Sequence, residues 1–361
     1  MSQRLTVHSR GPLRGCVRVP GDKSISHRAL LLGALAGGAS RVSGFLPAGD
    51  CLATLSCLRA LGVEIIPIPG PSPYEGEGSP TTLVVHGRGL HGLQEPSLPL
   101  NCVRSGTTMR LLAGILAGQR FESTLAGDSQ LLRRPMHRVA EPLRRMGAEI
   151  EDADGRAPLT VHGQQLRGGD HTLAVASAQV KSALLLAGLY ADGHTIVRQP
   201  GPARDHTERM LAAMGAAIEV DGLIVTLTPN PQPLAPLTLA IPGDISSAAF
   251  PLVAATLLPG SEVTVAGVGI NPTRTGLLDV LQAMGAEIVL ENERTESGEP
   301  VADVTVRSSN LVGVEVGGDT VVRMIDEFPV LAVGCRGARP ARAGRTVSGN
   351  RAPESFFPPG W

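Results

Sequence analysis

The chain has 361 residues, of which 42% are apolar and 18% charged, so it carries the material for a large core and is long for a single one. Disorder throughout is excluded by that balance, and a formal net charge of −1 supplies no overall field pointing to nucleic acid or a membrane surface. The aromatics are six Phe, two Tyr and one Trp, too few to suggest a platform for stacking single-stranded bases.

In chain order, the first element with chemical interest is 20-PGDKSISHRALLLGAL, a polar turn opening into an apolar helix. The same design recurs at 103-VRSGTTMRLLAGILAG, 176-ASAQVKSALLLAGLYADG, 242-PGDISSAAFPLVAATLLPG and 325-IDEFPVLAV. Ser, Thr and Asp crowd each helix start, as N-cap chemistry requires. Between these lie four stretches with a second pattern: 56-SCLRALGVEII, 141-EPLRRMGAEIE, 209-RMLAAMGAAIEV and 279-DVLQAMGAEIVL. Each reads as an amphipathic helix stopped by a glycine (Gly62, Gly147, Gly215, Gly285) and followed by an apolar strand. Strands at 82-TLVVHG, 159-LTVHG and 223-LIVTLTP complete α/β units. The two Pro-Gly-Asp turns lie about three units apart, which suggests two halves of three units with crossovers near residues 20 and 242. The expected division is 20–241 for a first domain, 1–19 plus 242–334 for an incomplete second one, and 335–361 for a disordered tail.

That tail follows from composition. From Cys335 onward the apolar periodicity stops, and Arg, Gly and Pro crowd a segment that also holds the chain's single Trp. A sixth unit is expected after residue 334 and is not legible there. The sequence therefore reads as truncated or frame-shifted at that point, with a natural disordered tail as the alternative.

The cysteines, Cys16, Cys51, Cys57, Cys102 and Cys335, form no CxxC pair, and without a signal peptide they read as reduced thiols of a cytoplasmic protein. No apolar run reaches membrane-spanning length, and no HxH or HExxH pattern marks a metal site. The segment 21-GDKSISHR lacks P-loop spacing, and no GxGxxG opens a helix, so nucleotide binding has little support. Thirty arginines stand against two lysines, Lys23 and Lys181. A guanidinium fork cannot copy a compact ammonium, so those two positions are informative. Helix N-termini bind anions through their free N–H groups, and Lys23, Arg28, Arg104, Arg110, Arg134 and Arg204 flank the five helix starts. If the units share a symmetry, those starts converge on a ligand bearing several phosphates or carboxylates.

Taken in order, PGDKSISHRALLLGAL, SGTTMRL, RRPM, ASAQVKSALLLAGL, RDHTERM, PGDISSAAFPLVAA, NPTRTG and MIDEFPVLAV resemble the 5-enolpyruvylshikimate-3-phosphate synthases, 3-phosphoshikimate 1-carboxyvinyltransferases. The resemblance implies an α/β fold, the inside-out barrel of two domains built from βαβαββ-type units. It implies transfer of the enolpyruvyl group of phosphoenolpyruvate to the 5-hydroxyl of shikimate 3-phosphate, in aromatic amino-acid biosynthesis. It implies no metal or organic cofactor, small-molecule substrates, no nucleic-acid or membrane partner, and a cytoplasmic monomer. Residue by residue, Lys23 matches a lysine that touches both substrates and acts in proton transfer. Ser24, Arg28, Ser177, Ala178, Gln179, Arg204 and Asp326 match shikimate 3-phosphate contacts. Gly106, Arg134 and Gln179 match the phosphoenolpyruvate site, where glyphosate also packs. Asp326 matches the carboxylate that accepts the hydroxyl proton, and it doubles as a candidate N-cap of the next helix.

The pattern departs from the family in two places. Val103 and Arg104 stand where many members have Gly-Asn. The family's later Lys-Glu-Ser-Asp-Arg and Asp-His-Arg motifs have no counterpart, so low or absent turnover by this chain is expected. Two alternatives remain open: a non-catalytic remnant that binds anions, and the sister enzyme acting on UDP-N-acetylglucosamine. The latter carries a reactive Cys near the clamp arginine, and 127-GDSQLLRR has none.

Overall fold

The computed structural model describes residues 11–68, 82–229, 232–338 and 346–348. The chain divides into two compact units. One comprises 20–242 with the short segment 295–299, and the other comprises 1–19, 243–294 and 300–361.

The unit formed by 20–242 contains helices α1 (Lys23–Leu35), α2 (Gly49–Ala60), α3 (Gly106–Ala117), α4 (Ser129–Leu132), α5 (His137–Arg145), α6 (Ala178–Gly188) and α7 (His206–Ala213). Three four-stranded sheets accompany them, and all three share one topology. In the first, Thr238–Ala240 pairs parallel with Ala39–Ser43, then Thr82–His86 and Glu64–Ile68 follow antiparallel. The second runs Leu100–Asn101, Glu122–Ala126, Arg156–His162 and Glu149–Ala153 in the same sense. The third runs Leu166–Thr172, Ala191–Arg198, Ile224–Thr228 and Ala217–Asp221. Two of the parallel pairs, Leu100–Asn101 with Glu122–Ala126 and Leu166–Thr172 with Ala191–Arg198, are bridged by a helix, α3 and α6, because parallel strands need a crossover, and the outer antiparallel pair of each sheet closes by a shorter connection. The strand of the first sheet that lies farthest along the chain, Thr238–Ala240, closes the threefold pattern.

Helices α1, α3 and α6 are apolar on nearly every side and sit in the core, as such helices must. Strands such as Ile224–Thr228 alternate buried and half-buried residues, one face against the helices. Helices α3 and α6 approach so closely at Gly114 that a methyl group there would collide with the carbonyl oxygen of Ala183. The helix-stop glycines Gly62, Gly147, Gly215 and Gly285 have φ of 84°, 95°, 82° and 100°, the left-handed conformation the sequence pattern called for.

The other unit contains α8 (Ile245–Leu257), α9 (Gly276–Ala283), α10 (Asp319–Arg323) and α11 (Phe328–Arg336). Its sheet has the order Arg14–Val17, Glu262–Gly269, Glu299–Arg307, Glu287–Glu296, with the first pair parallel, so it repeats the topology of the other unit's sheets. Near Gly334 the expected end of order is displaced. Helix α11 continues to Arg336, and Thr346–Ser348 pairs parallel with Glu315–Gly317. The remainder of the expected tail, 339–345 and 349–361, lies outside the described residues.

Candidate functional site

The helix starts named from sequence are capped as the residue types require. Asp22 accepts from the amide of Ile25 at 2.8 Å, Ser105 from Thr108 at 3.1 Å, and Ser177 from Val180 at 3.4 Å. In the other unit Asp244 accepts from Ser246 at 3.0 Å. The fifth start differs from expectation. Glu327, not Asp326, occupies the N-cap position of α11, and neither side chain caps it. Glu327 instead accepts from the Ser246 hydroxyl at 2.5 Å.

In the unit formed by 20–242, the structure brings Gly106, Arg134 and Gln179 to one place. Gly106 is the first residue of α3, and a Cβ there would lie 2.8 Å from Arg110 Nη1 and 3.3 Å from Arg134 Nη1. Arg110 donates to Gln179 Oε1 at 2.5 Å, and Gln179 Nε2 donates to Thr107 Oγ1 at 2.9 Å. Gln179 and Ala178 sit in the first turn of α6, directly after the cap Ser177. Burial, with the like charges of Arg134 and Arg138 beside it, pulls the Arg110 guanidinium below the ordinary arginine range. Three guanidiniums crowded at a helix N-terminus repel one another, and an anion placed among them relieves that repulsion. Thr107 and the role of Arg110 as holder of Gln179 were not legible from sequence. Helical spacing from Gly106 was the available signal, since Arg110 lies one turn along.

Lys23 opens α1 and forms an ion pair with Asp50 of α2 at 3.0 Å. Its side chain remains 49% exposed, so the ammonium stays accessible to a ligand. Ser24 follows it, half-buried, and its carbonyl accepts from Arg28. Arg28 lies deeper than sequence suggested. It is 4% exposed, with Nε on Thr207 Oγ1 at 2.7 Å and Nη2 on Ser182 Oγ at 2.8 Å. Burial lowers its guanidinium to about 10, partly offset by Glu208 and Asp22. Arg204 is half-buried in the loop before α7 and close enough to Arg28 for their charges to interact. Arg104 is exposed and paired with Asp128 at 2.8 Å, so its charge is already engaged locally.

Asp326 belongs to the other unit. It faces Arg274 at 3.4 Å, and its own side chain is 51% exposed. Arg274 is 5% exposed on its side chain and also meets Asp244 Oδ1 at 3.4 Å, Ser246 Oγ at 2.7 Å and Glu327 Oε1 at 3.6 Å. One buried guanidinium therefore gathers three carboxylates. Sequence reasoning gave Arg274 no role; the structure makes Asp244 the cap of α8 and a partner of Arg274. Among the described residues no cluster of His, Cys, Asp and Glu is arranged to hold a metal ion, and no helix is long and apolar enough to cross a membrane.

Comparison with known proteins points one way. The family model for EPSP synthase (3-phosphoshikimate 1-carboxyvinyltransferase) matches residues 7–349. The 3-phosphoshikimate 1-carboxyvinyltransferase of Geobacillus kaustophilus is 53% identical over 323 residues, covering 89% of this chain and 73% of its own length. The enzyme of the same name from Alkalilimnicola ehrlichii is 55% identical over 329 residues, covering 91% of this chain and 71% of its own length. A solved EPSP synthase from Acinetobacter baumannii superposes with a TM-score of 0.83 at 44% identity, over 94% of this chain and 74% of that one. The chain thus spans about three quarters of the relatives it matches. With 343 consecutive residues matched from 7 to 349, and with the two-unit α/β architecture in place, the chain belongs to the EPSP synthase family, the 3-phosphoshikimate 1-carboxyvinyltransferases.

Proposed function

We propose that this protein joins phosphoenolpyruvate to shikimate 3-phosphate, as the family does, and releases inorganic phosphate. The chemistry has two steps. The 5-hydroxyl oxygen attacks C2 of phosphoenolpyruvate and loses its proton while C3 gains one, giving a tetrahedral intermediate. Phosphate then leaves from C2 with loss of a C3 proton, which restores the double bond as an enol ether. Both reactants carry a phosphate and a carboxylate, so bringing them together demands fixed cations and N–H donors around the reacting atoms.

The observation that carries this reading is the arginine cluster at the α3 N-terminus, where Gly106 leaves open the space a side chain would fill. In it, Gly106, Arg134 and Gln179 take phosphoenolpyruvate. Ser24, Arg28, Ser177, Ala178, Gln179 and Arg204 take shikimate 3-phosphate. Lys23 serves both substrates, and Asp326 accepts the hydroxyl proton. Arg28 then acts from beneath the surface, as a charge behind Ser24, more than as a surface clamp. The comparisons favour this enzyme over the anion-binding remnant and over the transferase acting on UDP-N-acetylglucosamine. All five cysteines are free thiols, which fits a cytoplasmic setting, and the protein works as a monomer on small-molecule substrates.

The test is phosphate release by the purified protein. Release that needs both substrates is expected, with an Arg134→Ala variant showing a phosphoenolpyruvate KM raised about tenfold or more, the effect of losing one charge-assisted contact. No release from either substrate pair, under conditions where a relative turns over, would overturn the enzyme reading in favour of the remnant.

A further inference from the structure

Lys181 is one of two lysines among thirty arginines, and the site above gives it no task. It lies in the first turn of α6, two residues beyond Gln179, and is 1% exposed. Its ammonium sits 2.6 Å from Glu208 Oε1 and donates to the carbonyl oxygen of Ala203 at 3.3 Å. Glu208, on α7, is 3% exposed, and its Oε2 has no hydrogen-bond partner among the described residues. The same carboxylate offsets the buried charge of Arg28. A buried acid with one oxygen unsatisfied is costly, so an arrangement that keeps it needs a compensating gain.

The position of Ala203 supplies that gain. It immediately precedes Arg204 in the loop that runs from strand Ala191–Arg198 to α7. We propose that Lys181 is a positioning residue: its ammonium ties the α6 start, with Ser177, Ala178 and Gln179, to the loop bearing Arg204. It thereby fixes the spacing between two parts of the shikimate 3-phosphate site, and in this it rests on the substrate reading given above. The choice of lysine follows from shape. A tetrahedral ammonium directs donors to Glu208 and Ala203 at diverging angles, whereas a planar guanidinium is bulkier and holds its donors in one plane. That explains why lysine persists here in a chain that otherwise uses arginine.

The experiment uses the full chain and a single variant, Lys181→Met. Glu208 stays in place, its carboxylate and the buried Arg28 guanidinium still offsetting one another, so the variant is expected to fold. Amide hydrogen exchange is measured without ligand, and shikimate 3-phosphate binding by titration calorimetry. Exchange is expected to quicken at Gly201, Ala203 and Arg204 while the amides of α1 and α3 keep their protection, with affinity falling about tenfold. Lys181→Arg, which keeps the charge, is expected not to restore either value. Unchanged exchange at the loop would overturn the positioning role. Quickened exchange with wild-type affinity would overturn its link to the substrate. A wild-type chain that binds no shikimate 3-phosphate, yet shows the exchange difference, would refute the substrate reading and leave the anchor standing.

Discussion

His27 connects the α1 helix to the glycine start of α3 through a buried chain of hydroxyls, and its titration offers a sharp test. Its Nδ1 lies 2.7 Å from Thr54 Oγ1 on α2. Thr54 Oγ1 lies 2.7 Å from Thr108 Oγ1, which donates to the capping Ser105 Oγ at 2.7 Å. The ring is fully buried, and Nε2 has no hydrogen-bond partner among the described residues. Burial first, and the neighbouring Arg28 second, lower its pKa from 6.5 to about 3. The folded ring is therefore neutral where the unfolded one gains a proton. A depressed folded pKa makes stability fall as pH drops below 6.5, and the fall continues until about pH 3. At about pH 5 the unfolded histidine lies some 1.5 pH units below its own pKa, which corresponds to about 2 kcal/mol lost relative to about pH 7.5. The perturbation is His27→Asn, compared with the wild-type chain by urea unfolding at both pH values. The cavity the variant leaves costs the same at each pH and cancels in the difference, as do all other titrating groups. The wild type is expected to lose about 2 kcal/mol more than the variant across that interval. Coincident pH dependences, within about 0.5 kcal/mol, would refute the neutral buried histidine.

Two further expectations concern packing and charge. Gly114→Ala puts a methyl group 2.9 Å from the carbonyl carbon of Ala183 and 3.0 Å from its Cα, all backbone, so α3 and α6 must separate. A cost of about 3 kcal/mol and a drop of roughly 6–12 °C in Tm are expected from overpacking at that scale, and a Tm within about 2 °C of wild type would contradict the close approach. Arg274→Met strips the shared cation from Glu327 and Asp244 while keeping much of the side-chain volume. Urea unfolding should show a loss of about 3–5 kcal/mol, the cost of stranding a buried carboxylate, and a loss under about 1 kcal/mol would mean that Ser246 alone satisfies Glu327.

The repeat was legible because it rests on local rules. Gly62, Gly147, Gly215 and Gly285 each follow an amphipathic helix, and the left-handed conformation they adopt is one that other residues take at a cost. The Asp22, Ser105, Ser177 and Asp244 caps are equally local, since each side chain bonds an amide two or three residues on. The near-continuous apolar runs of α1, α3 and α6 marked core helices for the same reason. What composition could not give was the extent of order past Gly334. Helix α11 ends on Arg336 and the strand Thr346–Ser348 pairs with Glu315–Gly317, a partner about thirty residues back that no local pattern announces.

The direction in which a charged side chain points is non-local in the same way, and it separates the arginines that sequence grouped together. Arg134 stands exposed beside Gly106, whereas Arg28, one helical turn along from Ser24, turns inward to Thr207 and Ser182 on parts of the chain far away in sequence. Arg274 was passed over in its NPTRTG loop, yet it is 4% exposed overall and gathers three carboxylates. Burial decides these roles, and burial is set by what packs above a residue. A buried cation must find buried acids or it would not be tolerated, so each inward arginine implies acidic partners that its motif does not contain. For Arg28 that partner is Glu208, already held by Lys181; for Arg274 it is Glu327, one residue past the carboxylate that sequence singled out. In both units a buried arginine therefore rests on acids drawn from elements that meet only when the chain is folded.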